Sequence, residues 1–134
     1  TAIIFSFLVS VAIGNKLLPI FDDPHSIYQC PDPTIVEDYP LCASDVKIGG
    51  QIFTTLTKTV DCPASGINKK KIACIIVSDL SDNDEGGYAT IVNGGLEQYF
   101  VEIRLKSQWG KGLNYHIEVY TLSETTTASG TTKH

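Results

Sequence analysis

The sequence predicts an all-β protein, built as a small antiparallel β-sandwich or barrel-like meander with a proline-rich N-terminal arm and two disulfides. From residue 46 to residue 122, apolar and polar side chains alternate with the period of two that strands have, and no window sustains the 3.6-residue period of a helix. Glycine-rich turns separate these runs. The chain of 134 residues is long enough for one domain with a buried core.

The first 14 residues, TAIIFSFLVSVAIG, are apolar or small, and Ala12 and Gly14 stand where a signal peptidase reads small side chains. We interpret residues 1–14 as a partial secretory signal. The basic start of such a signal is absent, and the chain contains no methionine. A spanning helix needs about 20 apolar residues, so no membrane anchor is expected. The alternative is an N-terminal strand or helix that is retained in the core.

Residues 15–45 contain five of the six prolines, which excludes a long helix or a central strand and predicts an extended arm. The β domain is predicted to cover residues 46–122. Residues 123–134 are rich in threonine and contain no large apolar side chain, so this tail is expected to be disordered or to carry O-linked sugar.

An even number of cysteines in a secreted chain predicts two disulfides among Cys30, Cys42, Cys62 and Cys74. Four cysteines allow three connectivities, and the sequence alone does not choose among them. Eleven residues separate the first two cysteines and eleven separate the last two, which favours the two local pairs, Cys30–Cys42 and Cys62–Cys74. The spacing of a zinc site is missing.

The β domain is expected to begin with strands at 51–62 and 72–77, joined by a loop as a hairpin. A meander of three strands follows at 88–93, 97–108 and 113–122. The last two strands each place alternate apolar side chains on one face, which predicts that each sheet is buried on one side. These core positions are Tyr99, Val101, Ile103, Leu105, Leu113, Tyr115, Ile117 and Val119.

The loop between the second and third of these strands carries Asp79, Asp82, Asp84 and Glu85. An EF-hand would need a glycine at position 6 and a glutamate at position 12 of its loop, and no register of this loop supplies both. We expect a solvated connection with no metal and no other cofactor, and we predict that it does not bind calcium tightly.

Charge and motifs exclude further classes of function. A net charge of −5 argues against nucleic-acid binding, which needs clustered basic residues. The Gly-x-Ser-x-Gly motif is absent, the disulfides use the cysteines, and the sequence places no partner beside His25, His116 or His134. We therefore expect no enzymatic activity.

The runs DNDEGGYATIVNGG and VEIRLKSQWGKGLNYHIEVY, within residues 79–120, resemble the insect multiprotein bridging factor two family, which includes response-to-pathogen proteins and secreted salivary or venom peptides. The similar features are a Gly-Gly-Tyr entry, an Asn-Gly-Gly turn, and a Lys-Ser-x-x-Gly-x-Gly hinge before the last strand. The family name implies an intracellular coactivator that joins a nuclear receptor to the transcription machinery. The resemblance also implies a small protein released into saliva, venom or gut fluid.

Two hypotheses of function follow. The first is a secreted, non-enzymatic β-domain that binds a protein partner or self-associates, as an effector or as a silk or sheath component. The second is the intracellular transcription bridge. Exposed aromatic side chains mark interaction surfaces, and the predicted surface consists of Phe100, Trp109 and Tyr120, with Arg104 and Lys106 as a polar rim. The alternative is that a second sheet covers Phe100 and Tyr120 and that Trp109 closes the end of the core.

Overall fold

The computed structural model describes residues 23–82 and 84–123. The predicted signal at 1–14, the first part of the predicted arm at 15–22 and the tail from 124 onward lie outside the described residues. Among the described residues no helix is long and apolar enough to cross a membrane.

The described residues form seven strands and one 3-10 turn, so the all-β prediction is confirmed. The strands are β1 (Ile27–Gln29), β2 (Cys42–Ile48), β3 (Thr57–Cys62), β4 (Ile72–Asp79), β5 (Tyr88–Gly94), β6 (Val101–Lys106) and β7 (Leu113–Thr121), and the 3-10 turn is Pro33–Ile35. A four-stranded sheet has the order β1-β4-β7-β2, and a three-stranded sheet has the order β3-β6-β5. All strand pairs are antiparallel.

The core lies between the two sheets, where β6 and β7 bury every second side chain and β4 buries Ile72, Ile75 and Val77. The predicted inner faces of β6 and β7 are confirmed except at Tyr99, which precedes β6 and is exposed. The fully buried side chains of these two strands are Val101, Ile103, Leu105, Leu113, Tyr115, Ile117 and Val119. The polar side chains between them point to solvent, so each sheet has one solvent-exposed face.

The predicted pairing of strands is partly wrong. β3 and β4 do not form a hairpin, since β3 pairs with β6 in one sheet and β4 pairs with β1 and β7 in the other. β5 and β6 do pair as neighbours, but β7 leaves their sheet and lies between β2 and β4. The chain thus changes sheet after β2, β3, β4 and β6.

The predicted local disulfides are wrong, and the bonds are Cys30–Cys74 and Cys42–Cys62. Cys62 ends β3 in one sheet and Cys74 lies in β4 of the other, so they are not hairpin neighbours. Cys30 directly follows β1, which pairs with β4 and brings it to Cys74. The second bond joins β2 to β3 and therefore links the two sheets.

The described part of the predicted arm is built into the four-stranded sheet. β1 pairs with β4, and β2 begins at Cys42, four residues before the predicted start of the β domain. Residues before β1 are held at the end of the sandwich. The hydroxyl of buried Tyr115 donates to the carbonyl oxygen of His25 at 2.5 Å, and His25 Nδ1 lies 2.7 Å from the carbonyl oxygen of Gly87. Burial raises the pKa of Tyr115, so its hydroxyl stays a donor.

Candidate partner-binding site

Two loops lie side by side at one end of the sandwich. One joins β2 to β3 and covers residues 49–56, and the other joins β6 to β7 and covers residues 107–112. Ile48 pairs with Leu113 in one sheet, and Thr57 pairs with Lys106 in the other. Both ends of each loop are therefore fixed beside the ends of the other loop.

Backbone contacts lock these loops together. The hydroxyl oxygen of buried Ser107 accepts from the amide of Leu56 at 2.7 Å, and the Ser107 amide donates to the Leu56 carbonyl at 2.8 Å. The Gly110 amide donates to the carbonyl oxygen of Thr54 at 2.8 Å. Glycine is required at the closest approach, because a Cβ on Gly50 would stand 2.6 Å from the Gly110 carbonyl oxygen.

Three large apolar side chains project from the locked loops into solvent. Ile52 and Phe53 are each 77% exposed, and Trp109 is 64% exposed. The rings of Phe53 and Trp109 lie 6.4 Å apart between centroids and are tilted by 54°, which is within the range of favourable aromatic pairs. We call Ile52, Phe53 and Trp109 the aromatic tip. Trp109 does not close the end of the core.

The backbone of Phe53 is strained. Its φ angle is +64°, in the left-handed region that costs a residue with a side chain on the order of 1 kcal/mol or more. This conformation turns the chain, and the Phe53 ring lies in solvent instead of in the core. A strained turn that displays an apolar ring gains nothing from burial within this domain.

The acidic loop borders the aromatic tip. The side-chain amide of Gln108, next to Trp109, donates to the carbonyl oxygens of Asp84 and Gly86 at 2.6 and 2.9 Å. Lys111 Nζ lies 3.7 Å from a carboxylate oxygen of Glu85. These contacts fix the carboxylate-rich segment beside the turn that carries Trp109.

The structure does not bring the predicted surface residues together. Arg104 and Lys106 lie on the outer face of the three-stranded sheet, whereas Tyr120 lies on the outer face of the four-stranded sheet, on the opposite side of the sandwich. Phe100 is 47% exposed and precedes β6, while Trp109 follows it, so the length of that strand separates them. Of the five residues, only Lys106 and Trp109 lie at the end that carries the aromatic tip, whereas Phe100 and Tyr120 lie toward the opposite end.

A polar network that the sequence did not predict occupies the outer face of the four-stranded sheet. His116 Nδ1 lies 2.7 Å from Asp45 Oδ1, and Nε2 lies 2.9 Å from Glu118 Oε2. The Tyr120 hydroxyl donates to the other oxygen of Glu118 at 2.8 Å. Asp45 is directly opposite His116 in the pairing of β2 with β7.

The two carboxylates favour the imidazolium form of His116. Hydrogen bonds to Glu118 and Asp45 raise its pKa, and the bond to His116 lowers the pKa of Glu118. Hydrogen bonding to Glu118 raises the pKa of Tyr120. In the imidazolium form both ring nitrogens donate to carboxylates, so this form has no lone pair with which to accept a proton from a nucleophile. The network is suited to tying β2 to β7 rather than to general base catalysis.

Two open grooves lie at the surface of the described residues. The smaller, about 240 Å³, lies beside the acidic loop between Ile48, Leu80 and Asn114. The larger, about 650 Å³, lies at the opposite end of the sandwich between Tyr39 and Ile67. Within residues 23–82 and 84–123, no three His, Cys, Asp or Glu side chains converge as metal ligands would.

Sequence reasoning missed most of the tip because it assigned residues 51–62 to one strand. The strand begins only at Thr57, and Ile52 and Phe53 form a turn. The signal that marks this turn is the pair Gly49–Gly50 immediately before it.

Comparison with known proteins supplies a family match and one relative. The family model described as "Transcription activator MBF2" matches residues 34–121. A "Probable salivary secreted peptide" from Bombus ignitus is 47% identical over 51 residues. That alignment covers 38% of this chain and 38% of the relative, so the chain spans well under half of the relative's length. No solved structure matches the chain.

Proposed function

This chain belongs to the MBF2 family, and we propose that it is a secreted, non-enzymatic binding protein that contacts a protein partner through the aromatic tip. The observation that carries the proposal is the exposed pair of Phe53 and Trp109 on two loops that are locked by backbone hydrogen bonds. The tip lies at the end of a two-sheet body, as binding loops do on other sandwich scaffolds.

Secretion is supported by three independent observations. All four cysteines are in disulfides, which persist in oxidising compartments and are rare in the cytosol and nucleus. The Bombus ignitus relative is named as a salivary secreted peptide. The apolar run at residues 1–14 has the composition of a signal. These observations favour an exocrine fluid over the transcription bridge that the family name implies.

Binding through the tip is supported by its exposure and rigidity. Aromatic side chains supply large contact areas at a small loss of rotamer entropy, which is why Trp and Tyr dominate the binding energy of interfaces. Phe53 and Trp109 already contact each other in the free protein. Because the loops are held in place, little order has to be gained when a partner binds.

The absence of enzymatic activity is supported by the state of the reactive side chains. The disulfides leave no free thiol among the cysteines. Carboxylates occupy both nitrogens of His116. His25 bonds a backbone carbonyl.

The test compares wild-type protein with a Phe53→Ala/Trp109→Ala variant as bait in the native secretion. Partners that wild-type protein retains are identified by mass spectrometry, purified and titrated by calorimetry. The variant is expected to bind the purified partner more weakly by about 2 kcal/mol or more, because truncating a central aromatic residue of an interface has that effect. Its melting temperature should stay close to that of wild type, since both rings are largely exposed.

The matched control is Tyr39→Ala/Ile67→Ala, which removes two exposed apolar side chains at the opposite end. This control should leave the affinity unchanged. Equal affinity of wild type and the tip variant for every purified partner would refute the proposal. Sedimentation at several concentrations identifies the case in which the partner is a second copy of the chain.

A further inference from the structure

We propose that the segment bound by the aromatic tip is basic and carries arginine. This inference rests on the proposed function and specifies the chemistry of the partner. It follows from the position of the acidic loop, which Gln108 holds against the turn that presents Trp109. The acidic loop is therefore held directly beside the turn that carries Trp109.

The charges at this surface are mainly negative and open to a partner. Asp82 and Asp84 are exposed, and among residues 23–82 and 84–123 neither has an ion pair. Lys111 partly offsets Glu85, at 3.7 Å. Lys106, at the end of β6, and Lys47, which lines the smaller groove with Asp82 and Glu85, are the other cations at this end. The loop's four carboxylates outnumber these three ammonium groups, so an incoming cation is favoured over an incoming anion.

The surface combines aromatic rings with carboxylates, the two groups that a guanidinium recognises. The planar face of a guanidinium stacks on the ring of Trp or Phe, and the five N–H donors of the guanidinium form charge-assisted bonds with carboxylates. Trp109 and Phe53 supply the ring faces at the tip, and the exposed Asp82 and Asp84 of the neighbouring acidic loop supply the carboxylates. Ile52 adds an apolar contact for the methylene groups of the same partner. A lysine ammonium fits this pairing less well, because it cannot stack as a plane.

The test uses Trp109 as its own probe, because it is the only tryptophan in the chain. The intact protein is titrated with an octapeptide of alternating Arg and Leu, and with matched peptides in which Gln or Glu replaces every Arg. The Arg peptide should shift the emission of Trp109, with a Kd about tenfold lower than that of the Gln peptide. The Glu peptide should bind more weakly still. Raising the salt concentration should weaken binding of the Arg peptide only.

Two variants assign the effect to the acidic loop. Asp82→Asn/Asp84→Asn should raise the Kd for the Arg peptide to that of the Gln peptide. Asp38→Asn/Asp61→Asn removes the same number of charges from exposed positions toward the opposite end and should leave the Kd unchanged. Equal affinity for the Arg and Gln peptides would overturn the inference, and so would equal weakening by both variants.

The outcomes distinguish the inference from the proposed function. If the Arg peptide does not shift the emission of Trp109 while the natural partner still requires Phe53 and Trp109, the inference of a basic segment is wrong and the proposed binding function stands. If the natural partner ignores the tip variant, the proposed function is wrong, and the partner chemistry inferred from it is withdrawn.

Discussion

Removing the Cys42–Cys62 bond should destabilise the fold less than removing the Cys30–Cys74 bond. The partners are 20 and 44 positions apart in the chain. In the chain-entropy model, a disulfide stabilises by restricting the unfolded chain, by about 3.3 kcal/mol for the shorter loop and about 4.0 kcal/mol for the longer one. Each bond contains one fully buried cysteine, so replacement by alanine removes a similar buried sulfur from both variants.

Urea denaturation of Cys42→Ala/Cys62→Ala and Cys30→Ala/Cys74→Ala measures the two losses of unfolding free energy. Equal losses would refute the loop-length reasoning. A single Cys42→Ala variant provides a separate check, because it should leave one thiol that alkylation and peptide mapping assign to Cys62. A thiol at Cys30 would instead establish the local pairs and refute the connectivity described above.

Three further perturbations test the packing and electrostatics. Tyr115→Phe leaves the His25 carbonyl without its buried donor and should lower the unfolding free energy by about 1 kcal/mol, measured by urea denaturation; an unchanged midpoint would contradict this bond. Because folding raises the pKa of His116, the stabilisation by its charged form is complete below about pH 6.5 and is progressively lost as the pH rises through the folded-state pKa. The melting temperature of wild type should therefore fall more than that of His116→Gln between about pH 6 and pH 8. Parallel pH profiles of the two proteins would exclude this coupling. Gly112→Ala places a Cβ against a backbone carbonyl of β2 and should cost about 1–3 kcal/mol, whereas Gly49→Ala, which has open space around it, serves as the control in the same thermal melts.

The sequence predicted the inner faces of β6 and β7 because a strand with one buried face repeats apolar side chains at every second position. Val101 to Leu105 and Leu113 to Val119 follow this rule without interruption. The same pattern does not specify which strand is the neighbour. A strand buries the same face whichever sheet it joins. Local residues therefore do not predict that β3 and β4 lie in different sheets, and the disulfide pairing depends on that arrangement.

The site was less predictable than the fold, because it depends on contacts between distant residues. The glycine-rich turn around Trp109 predicts exposure as one of two alternatives, the other being that the ring closes the end of the core. Phe53 was assigned to a strand, since the β-branched pattern around it outweighs a two-glycine turn signal. The partner of His116 on β2 is 71 positions away, and only the register of two paired strands places it there.

The two disulfides divide the protein into a cross-linked part and a part held by weak forces alone. All covalent links lie between Cys30 and Cys74. A protease that cuts the exposed segment around Tyr39, or the loop between β3 and β4, leaves fragments that stay joined until they are reduced. A cut in the acidic loop instead frees the chain from β5 onward of any covalent tie. Since Phe53 belongs to the cross-linked part and Trp109 to the other, after one such cut only the pairing of β6 with β3 and of β7 with β2 and β4 would hold the two halves of the aromatic tip together.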